Sequence, residues 1–265
     1  MGGKEACVLA SCGRPAEVTT APLRGNFSAF PRERLESGAR ILGVTLSRTQ
    51  LDRFDAFAAA LDEGSRRLNL TAVKDPVEVV EKHFLDSLTV LDVLPAGALR
   101  LIDVGTGAGF PGLALKIARV EIHVTLLEAT GKKVVWLRET IERLGLVGAE
   151  AIAERAETLA HDPAHRGRYD IATARAVAPL GVLCELCLPF LKQGGTFIAQ
   201  KTASGAEVEV PAARRALNVL GGRVAEVRRV DHPALPNRVL VVIEQDGPVP
   251  SVYPRRPGMP GKQPL

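Results

Sequence analysis

A chain of 265 residues, 46% of them hydrophobic, has enough apolar material for one large α/β core with a small cap in front of it. The net charge of +4 permits nucleic-acid contact without requiring it, and Arg255, Arg256 and Lys262 supply three positive charges after the last acid, Asp246. No apolar run approaches the ~20 residues that span a bilayer. Leu9-Ala10-Ser11-Cys12 fits a lipid-attachment box but follows an apolar run of only about five residues, where a signal needs roughly 7–15; a cytoplasmic protein with no membrane contact and reduced thiols is expected.

Residues 1–30 mix Gly, Pro, Ala, Ser and Thr without a period and predict a flexible extension. A helical cap is expected over 31–95. Within it Ser47-Arg48-Thr49-Gln50 has a capping-box pattern, followed by Leu51, Phe54, Ala58 and Leu61 at helical spacing. Asp75-Pro76-Val77-Glu78 opens a second helix, with a cap at Asp75, proline at the first position, and Val80, Phe84, Leu88 and Leu91 on one face.

From Arg100 the pattern alternates strand and helix, which predicts a parallel sheet with right-handed crossovers over 96–247. Strands are expected at Leu101–Val104, Ile122–Glu128, Ala149–Ala153, Tyr169–Thr173 and Thr196–Gln200, and helices near Gly112–Ala118, Lys132–Leu144, Leu180–Leu191 and Ala206–Leu220. Two last strands, Arg223–Val230 and Arg238–Glu244, are joined by a loop too short for a helix and predict an antiparallel hairpin at the sheet edge. This doubly wound, mostly parallel seven-stranded α/β sheet with its C-terminal hairpin resembles the class I, Rossmann-like methyltransferase architecture. A basic, Pro-rich tail covers 248–265. Cys184-Glu185-Leu186-Cys187 has the spacing of a zinc pair, but its apolar helical setting reads as two buried thiols; a four-cysteine site with Cys7 and Cys12 is the alternative, and no metal is expected.

The densest signal is Leu101-Ile102-Asp103-Val104 running into Gly105-Thr106-Gly107-Ala108-Gly109-Phe110-Pro111-Gly112. A strand, a glycine-dense turn and a helix start form a nucleotide-sized site at a strand's carboxyl end. An ATPase-type loop needs Gly-Lys-Ser/Thr, and Gly112 is followed by Leu113-Ala114, so that reading fails. A dinucleotide frame, Gly107-x-Gly109-x-x-Gly112 with Glu128 beyond it, leaves Asp103 and Gly105 without a role. Read as Asp103-x-Gly105-x-Gly107-x-Gly109, the loop resembles the S-adenosylmethionine motif, in which an acid ending the second strand, here Glu128, accepts from the ribose hydroxyls. A plain strand–helix turn beside a surface glutamate is the bland alternative.

Absences narrow the methyl acceptor. Amine methylation is usually marked by Asp/Asn-Pro-Pro-aromatic after the fourth strand, where this chain has Thr173-Ala174-Arg175-Ala176-Val177. Carbon-5 pyrimidine methylation needs a Pro-Cys nucleophile, and neither Cys184 nor Cys187 follows a proline. A ring nitrogen with an in-plane lone pair, such as guanine N7, needs neither device.

Asn69-Leu70-Thr71, His83-Phe84-Leu85-Asp86-Ser87-Leu88, the glycine loop, Lys132-Lys133, Arg155-Ala156-Glu157, Arg175-Ala176-Val177-Ala178 and Tyr253-Pro254-Arg255-Arg256 occur in one order. Together they resemble the RsmG family, also called GidB, of bacterial 16S ribosomal RNA guanine-N7 methyltransferases, over about residues 40–265. The resemblance implies S-adenosylmethionine as cofactor and, as substrate, a guanine in the decoding-region loop of 16S rRNA, in the small subunit or an assembly intermediate. It implies that Gly105, Gly107, Gly109 and Phe110 line the cofactor, Glu128-Ala129-Thr130 the ribose and Ala156-Glu157 the adenine, with Arg175 as the catalytic residue between cofactor and base. Asn69, His83, Asp86, Lys132, Lys133 and Lys201 fall on the RNA side. For His83, Asp86 and Ser87 a hydrogen-bonded helix surface is the alternative, and for the lysine pair, with Trp136 one turn on as a stacking face, a solvated first turn. Lys201 is followed by Thr202 instead of the family's usual glycine, and Gly131 precedes the lysine pair where a longer side chain is common. A monomer is expected. The rivals are a small-molecule methyltransferase and an RNA-binding assembly factor.

Overall fold

The computed structural model describes residues 30–175 and 178–265; residues 1–29 of the expected extension, with Cys7 and Cys12, and Ala176-Val177 lie outside the described residues. Helix α1 (Arg32–Ile41) buries Leu35, Gly38 and Ala39, and a Cβ on Gly38 would lie 2.5 Å from Leu85 Cδ1. Small residues make this contact, so no stripe of large apolar side chains announces the helix in the sequence. Helix α2 (Arg48–Leu68) starts at the expected capping box: Gln50 N donates to Ser47 Oγ (3.3 Å) and Ser47 N to Gln50 Oε1 (2.8 Å).

The single helix expected from Asp75 is a relay of types: α3 (Pro76–Val79), a π-helical turn (Val80–Leu85), α4 (Asp86–Leu88) and a 3₁₀ turn (Thr89–Val93). Side chains compete for its carbonyls. Ser87 Oγ donates to His83 O and Thr89 Oγ1 to Asp86 O, each at 2.6 Å; from the sheet, Arg175 Nη1 donates to Lys82 O (3.1 Å) and Gln200 Nε2 to Asp86 O (2.6 Å). Carbonyls drawn off in this way favour a widened turn, a feature concentrated at functional sites.

The core alternates β1 (Arg100–Val104), α5 (Gly112–Ala118), β2 (His123–Glu128), α6 (Gly131–Arg143), β3 (Ala149–Ala153), α7 (Ala156–Leu159), β4 (Tyr169–Arg175), α8 (Leu180–Cys187) and β5 (Leu191–Thr202). Helices α9 (Ala203–Ala212) and α10 (Arg214–Leu220), strands β6 (Gly222–Arg229) and β7 (Arg238–Gln245), and a last turn α11 (Met259–Lys262) complete it. The sheet order is β3-β2-β1-β4-β5-β7-β6, with β1 to β5 parallel and β7 antiparallel to both β5 and β6. This is the expected doubly wound seven-stranded sheet, and the hairpin folds back so that β7 lies inside and β6 forms the edge. Gln50 fastens cap to core, its amide donating to the Ile117 and Ala118 carbonyls at the end of α5 (3.1 and 2.7 Å).

Two of the expected helices are cut short or divided near a proline. The helix expected over Leu180–Leu191 stops at Cys187 and passes through a 3₁₀ turn holding Pro189 into β5, which is longer than the Thr196–Gln200 expected. The helix expected over Ala206–Leu220 is two helices, because Pro211 has no N–H to bond back along α9. One apolar core lies between cap and sheet, where Phe54, Phe57 and Phe84 are fully buried, each stabilising by roughly 1.5–3 kcal/mol. The other lies under α8 and α10 and takes in Cys184 and Cys187, both buried and free. Burial pushes the Cys184 thiol up to about 12 and Cys187 well above its usual range. No described helix is long and apolar enough to cross a membrane, and among the described residues no group of His, Cys, Asp and Glu could hold a metal ion.

Candidate active site

Asp103 anchors the glycine loop. Fully buried near the carboxyl end of β1, its Oδ2 accepts from Thr106 Oγ1 (2.6 Å) and Gly112 N (2.9 Å), and its Oδ1 from Thr173 Oγ1 of β4 (3.0 Å). Burial raises its carboxyl above the usual range, and these three donors oppose that rise. One side chain thus ties the start of α5 and strand β4 to the loop between them, at the point where the sheet order reverses. Gly105, Gly107 and Gly109 have φ of +70°, +59° and +87°, the left-handed region that favours glycine. Gly112 is required by contact: a Cβ there would lie 2.4 Å from Leu126 Cδ2.

Glu128 ends β2 beside this loop. Gly107 N donates to its Oε2 (3.2 Å) and Thr130 N to its Oε1 (2.8 Å), so backbone donors aim the carboxylate while lone pairs on both oxygens remain for a diol. Ala129 and Thr130 are exposed next to it. In the parallel register Glu128 pairs with Ala153, so the turn leading to Ala156 and Glu157 borders the same rim. The Glu157 side chain is tied to the C-terminal tail: its Oε1 accepts from Gly258 N (2.9 Å) and Arg155 Nη2 (3.3 Å). Burial works against its charge, but these donors hold its carboxyl below the usual range.

Arg175, at the end of β4, is the hub of the site. Its guanidinium lies 5.0 Å over the Phe110 ring and donates from Nη1 to Asp86 Oδ2 (3.1 Å). Asp86 has no exposed surface, and Arg238 grips it from the other side, with Nε 2.5 Å from Oδ1 and Nη2 3.1 Å from Oδ2. One carboxylate therefore holds two guanidinium groups, leaving the cluster one positive charge in excess. His83 stacks on Phe110 at 4.9 Å. Its Nδ1 lies 3.1 Å from Lys82 O, which can only accept, so the ring proton sits on Nδ1 and Nε2 accepts from the Thr71 hydroxyl 2.7 Å away. Burial, and then the Arg175 charge, lower the His83 pKa to about 4, so the ring is neutral at pH 7.

These side chains open onto a pocket of about 400 Å³ with Lys82, His83 and Asp86 on the cap side and Arg175, Gln200 and Arg238 on the sheet side. The sequence reading missed Arg238 and Gln200. Their signal is a polar residue in an otherwise apolar strand: Arg238 precedes the run Val239-Leu240-Val241-Val242-Ile243, and Gln200 follows Phe197-Ile198-Ala199. Lys201 lines the same pocket, but its ammonium is 2.7 Å from Glu209 Oε2 and donates to Ala178 O (2.9 Å), holding the segment after β4. Asn69 is exposed and ends α2 at φ +48°, bordering a second groove with Thr71 and Lys74. Lys132 is exposed and Lys133 half-buried in the first turn of α6. Trp136 is no stacking face: it is 4% exposed, and a Cβ on Gly64 of α2 would lie 2.4 Å from its Nε1.

Residues 50–239 match the family model GidB, described as rRNA small subunit methyltransferase G. A ribosomal RNA small subunit methyltransferase G from Pelotomaculum thermopropionicum is 47% identical over 88% of this chain and 98% of its own length. That of Deinococcus deserti is also 47% identical, over 88% and 96% respectively. A solved SAM-dependent methyltransferase from Aquifex aeolicus shares the fold, with a TM-score of 0.51 at 18% identity over 67% of this chain and 97% of that one. Matched along the segment that carries the glycine loop, Glu128 and Arg175, the chain belongs to the GidB family and is an S-adenosylmethionine-dependent methyltransferase of ribosomal RNA.

Proposed function

We propose that this enzyme methylates N7 of a guanine in the decoding-region loop of 16S rRNA. The observation that carries the reading is the pocket beside Arg175, which offers guanidinium donors and neither a nucleophile nor a free base. The buried thiols of Cys184 and Cys187 belong to the core under α8, and both His83 nitrogens have partners. A base-poor pocket suits an atom that has no proton to lose. Guanine N7 carries an in-plane lone pair, and arginine is the common donor to guanine O6, which leaves N7 open when the guanidinium binds O6 alone.

S-adenosylmethionine supplies an electrophilic methyl group carried on a sulfonium. The chain's own residues hold and orient. Gly105, Gly107 and Gly109 bring backbone close to the cofactor, Phe110 forms its floor, Glu128 with Ala129 and Thr130 accepts its ribose, and Ala156 and Glu157 border its adenine. Arg175 faces both cofactor and base, and Asp86 fixes it there. Asn69, His83, Lys132 and Lys133 lie on the RNA side; Lys201 contributes by shaping the pocket wall. Net positive charge is conserved in the transfer, so a site of hydrogen-bond donors around a neutral imidazole need not neutralise a developing anion.

The test is transfer of labelled methyl to small subunits from cells lacking the enzyme, followed by chemical cleavage at N7-methylguanine. One cleavage in the decoding-region loop is the expected result. Incorporation at another atom or another position, or none into subunits or free rRNA, overturns the proposal.

A further inference from the structure

The motif Tyr253-Pro254-Arg255-Arg256 has no part in the site described so far. The Arg255 backbone N and Nε both donate to Glu185 Oε1 (2.8 and 2.9 Å), and Nη2 donates to Glu185 Oε2 (2.6 Å) and to Gln263 O (2.8 Å). Glu185, on α8, is 1% exposed, so a single residue satisfies a buried carboxylate with a two-pronged guanidinium and a backbone donor. Arg255 is therefore a lock and not a free phosphate contact. Three residues on, Gly258, at φ +83°, donates its N–H to Glu157 Oε1 (2.9 Å). From the same side His161 Nε2 donates to Pro254 O (2.8 Å) and Arg166 Nη1 to Tyr253 O (2.7 Å). The segment is thus clamped between α8 and the region of α7.

Helix α7 is only four residues long and follows the strand whose last residue pairs with Glu128. So short a helix has little stability of its own and takes its position from tertiary contacts. Glu157 is 7% exposed with the tail in place, so if the tail leaves it loses its backbone donor and part of its covering together, and the turn bearing Ala156 loses the contact that holds it.

We propose that segment 253–258 braces the adenine side of the cofactor site, with Arg255 and Glu185 as positioning residues, so that tail docking and cofactor binding are coupled. This rests on the reading of Glu128 and Ala156 as cofactor-binding residues. Coupling of this kind is reciprocal: whatever factor the docked tail adds to cofactor affinity, the cofactor adds to tail docking.

The experiment pairs calorimetric binding with hydrogen exchange on the full chain. Arg255→Met is expected to speed exchange of amides 253–258 and to raise the Kd for S-adenosylmethionine and for adenosine by about tenfold, within the usual span of coupled sites. The rate at saturating cofactor and the KM for RNA stay unchanged, a split that general destabilisation does not produce. In the unaltered protein, saturating S-adenosylhomocysteine slows exchange of the same amides about tenfold. A loosened tail with unchanged Kd, or exchange indifferent to S-adenosylhomocysteine, overturns the proposal; the second readout decides alone if the variant does not fold. Glu128→Ala separates the two readings: if it binds S-adenosylmethionine as tightly as the unaltered protein the cofactor-site reading fails, and if it binds weakly while the tail proves uncoupled only the brace fails.

Discussion

Asp86→Ala removes the carboxylate that Arg175 and Arg238 share. Asp86 has no exposed surface, and the arginine side chains are 14% and 24% exposed, so the variant leaves two guanidinium groups facing each other in a largely buried setting. Removing one partner of a buried ion pair typically costs about 3–5 kcal/mol; because both arginines reach some solvent, the lower end applies, about 3 kcal/mol. Asp86→Asn keeps an acceptor for one arginine and should lose about half as much. Urea unfolding followed by circular dichroism reads both values from the midpoint at constant m. Arg238→Ala in the Asp86→Ala background should restore part of the loss, since the two residues are coupled. A loss under about 1 kcal/mol, or strict additivity of the two substitutions, refutes the view that one carboxylate organises the pocket.

Lowering the His83 pKa to about 4 from its ordinary 6.5 makes the folded state prefer the neutral ring. The unfolded chain takes up the proton first, so this contribution is complete above pH 6.5 and is lost as pH falls towards 4, at no more than about 1.4 kcal/mol per pH unit. His83→Gln should flatten that slope in unfolding titrations between these values, and an unchanged slope rules out the assignment. Gly112→Ala places a Cβ 2.4 Å from Leu126 and 3.0 Å from the Asp103 carboxylate, so it should cost about 1–3 kcal/mol and weaken S-adenosylmethionine binding. Wild-type stability and affinity in that variant would show that the approach of α5 to β1 is not tight.

The sheet was legible because its strands are apolar runs punctuated by glycine, and the glycine loop because positive φ and close approach leave few alternatives to glycine. The capping box at Ser47 and the proline start at Pro76 marked helix beginnings correctly, since caps are local chemistry. What failed to show was set by distant partners. The π turn is met by residues far along the chain, Arg175 donating to the carbonyl of Lys82 inside it and Gln200 to that of Asp86 just after it. Arg238 joined the site only when β7 inserted between β5 and β6. Trp136 carried an apparent stacking role that packing against Gly64 cancels, and Arg255, one of the basic residues of the tail, pairs with the buried Glu185 far back along the chain.

The most direct test of a pocket organised around Arg175 is single-turnover methyl transfer by Arg175→Ala, measured beside its affinity for S-adenosylmethionine. Asp86 keeps Arg238 as a partner in this variant, so the fold should persist. The account predicts a fall in rate of about 10²–10³, as expected for losing a preorganised donor, with cofactor affinity changed by less than about tenfold. A rate within a few-fold of the unaltered enzyme, with affinity preserved, would contradict it.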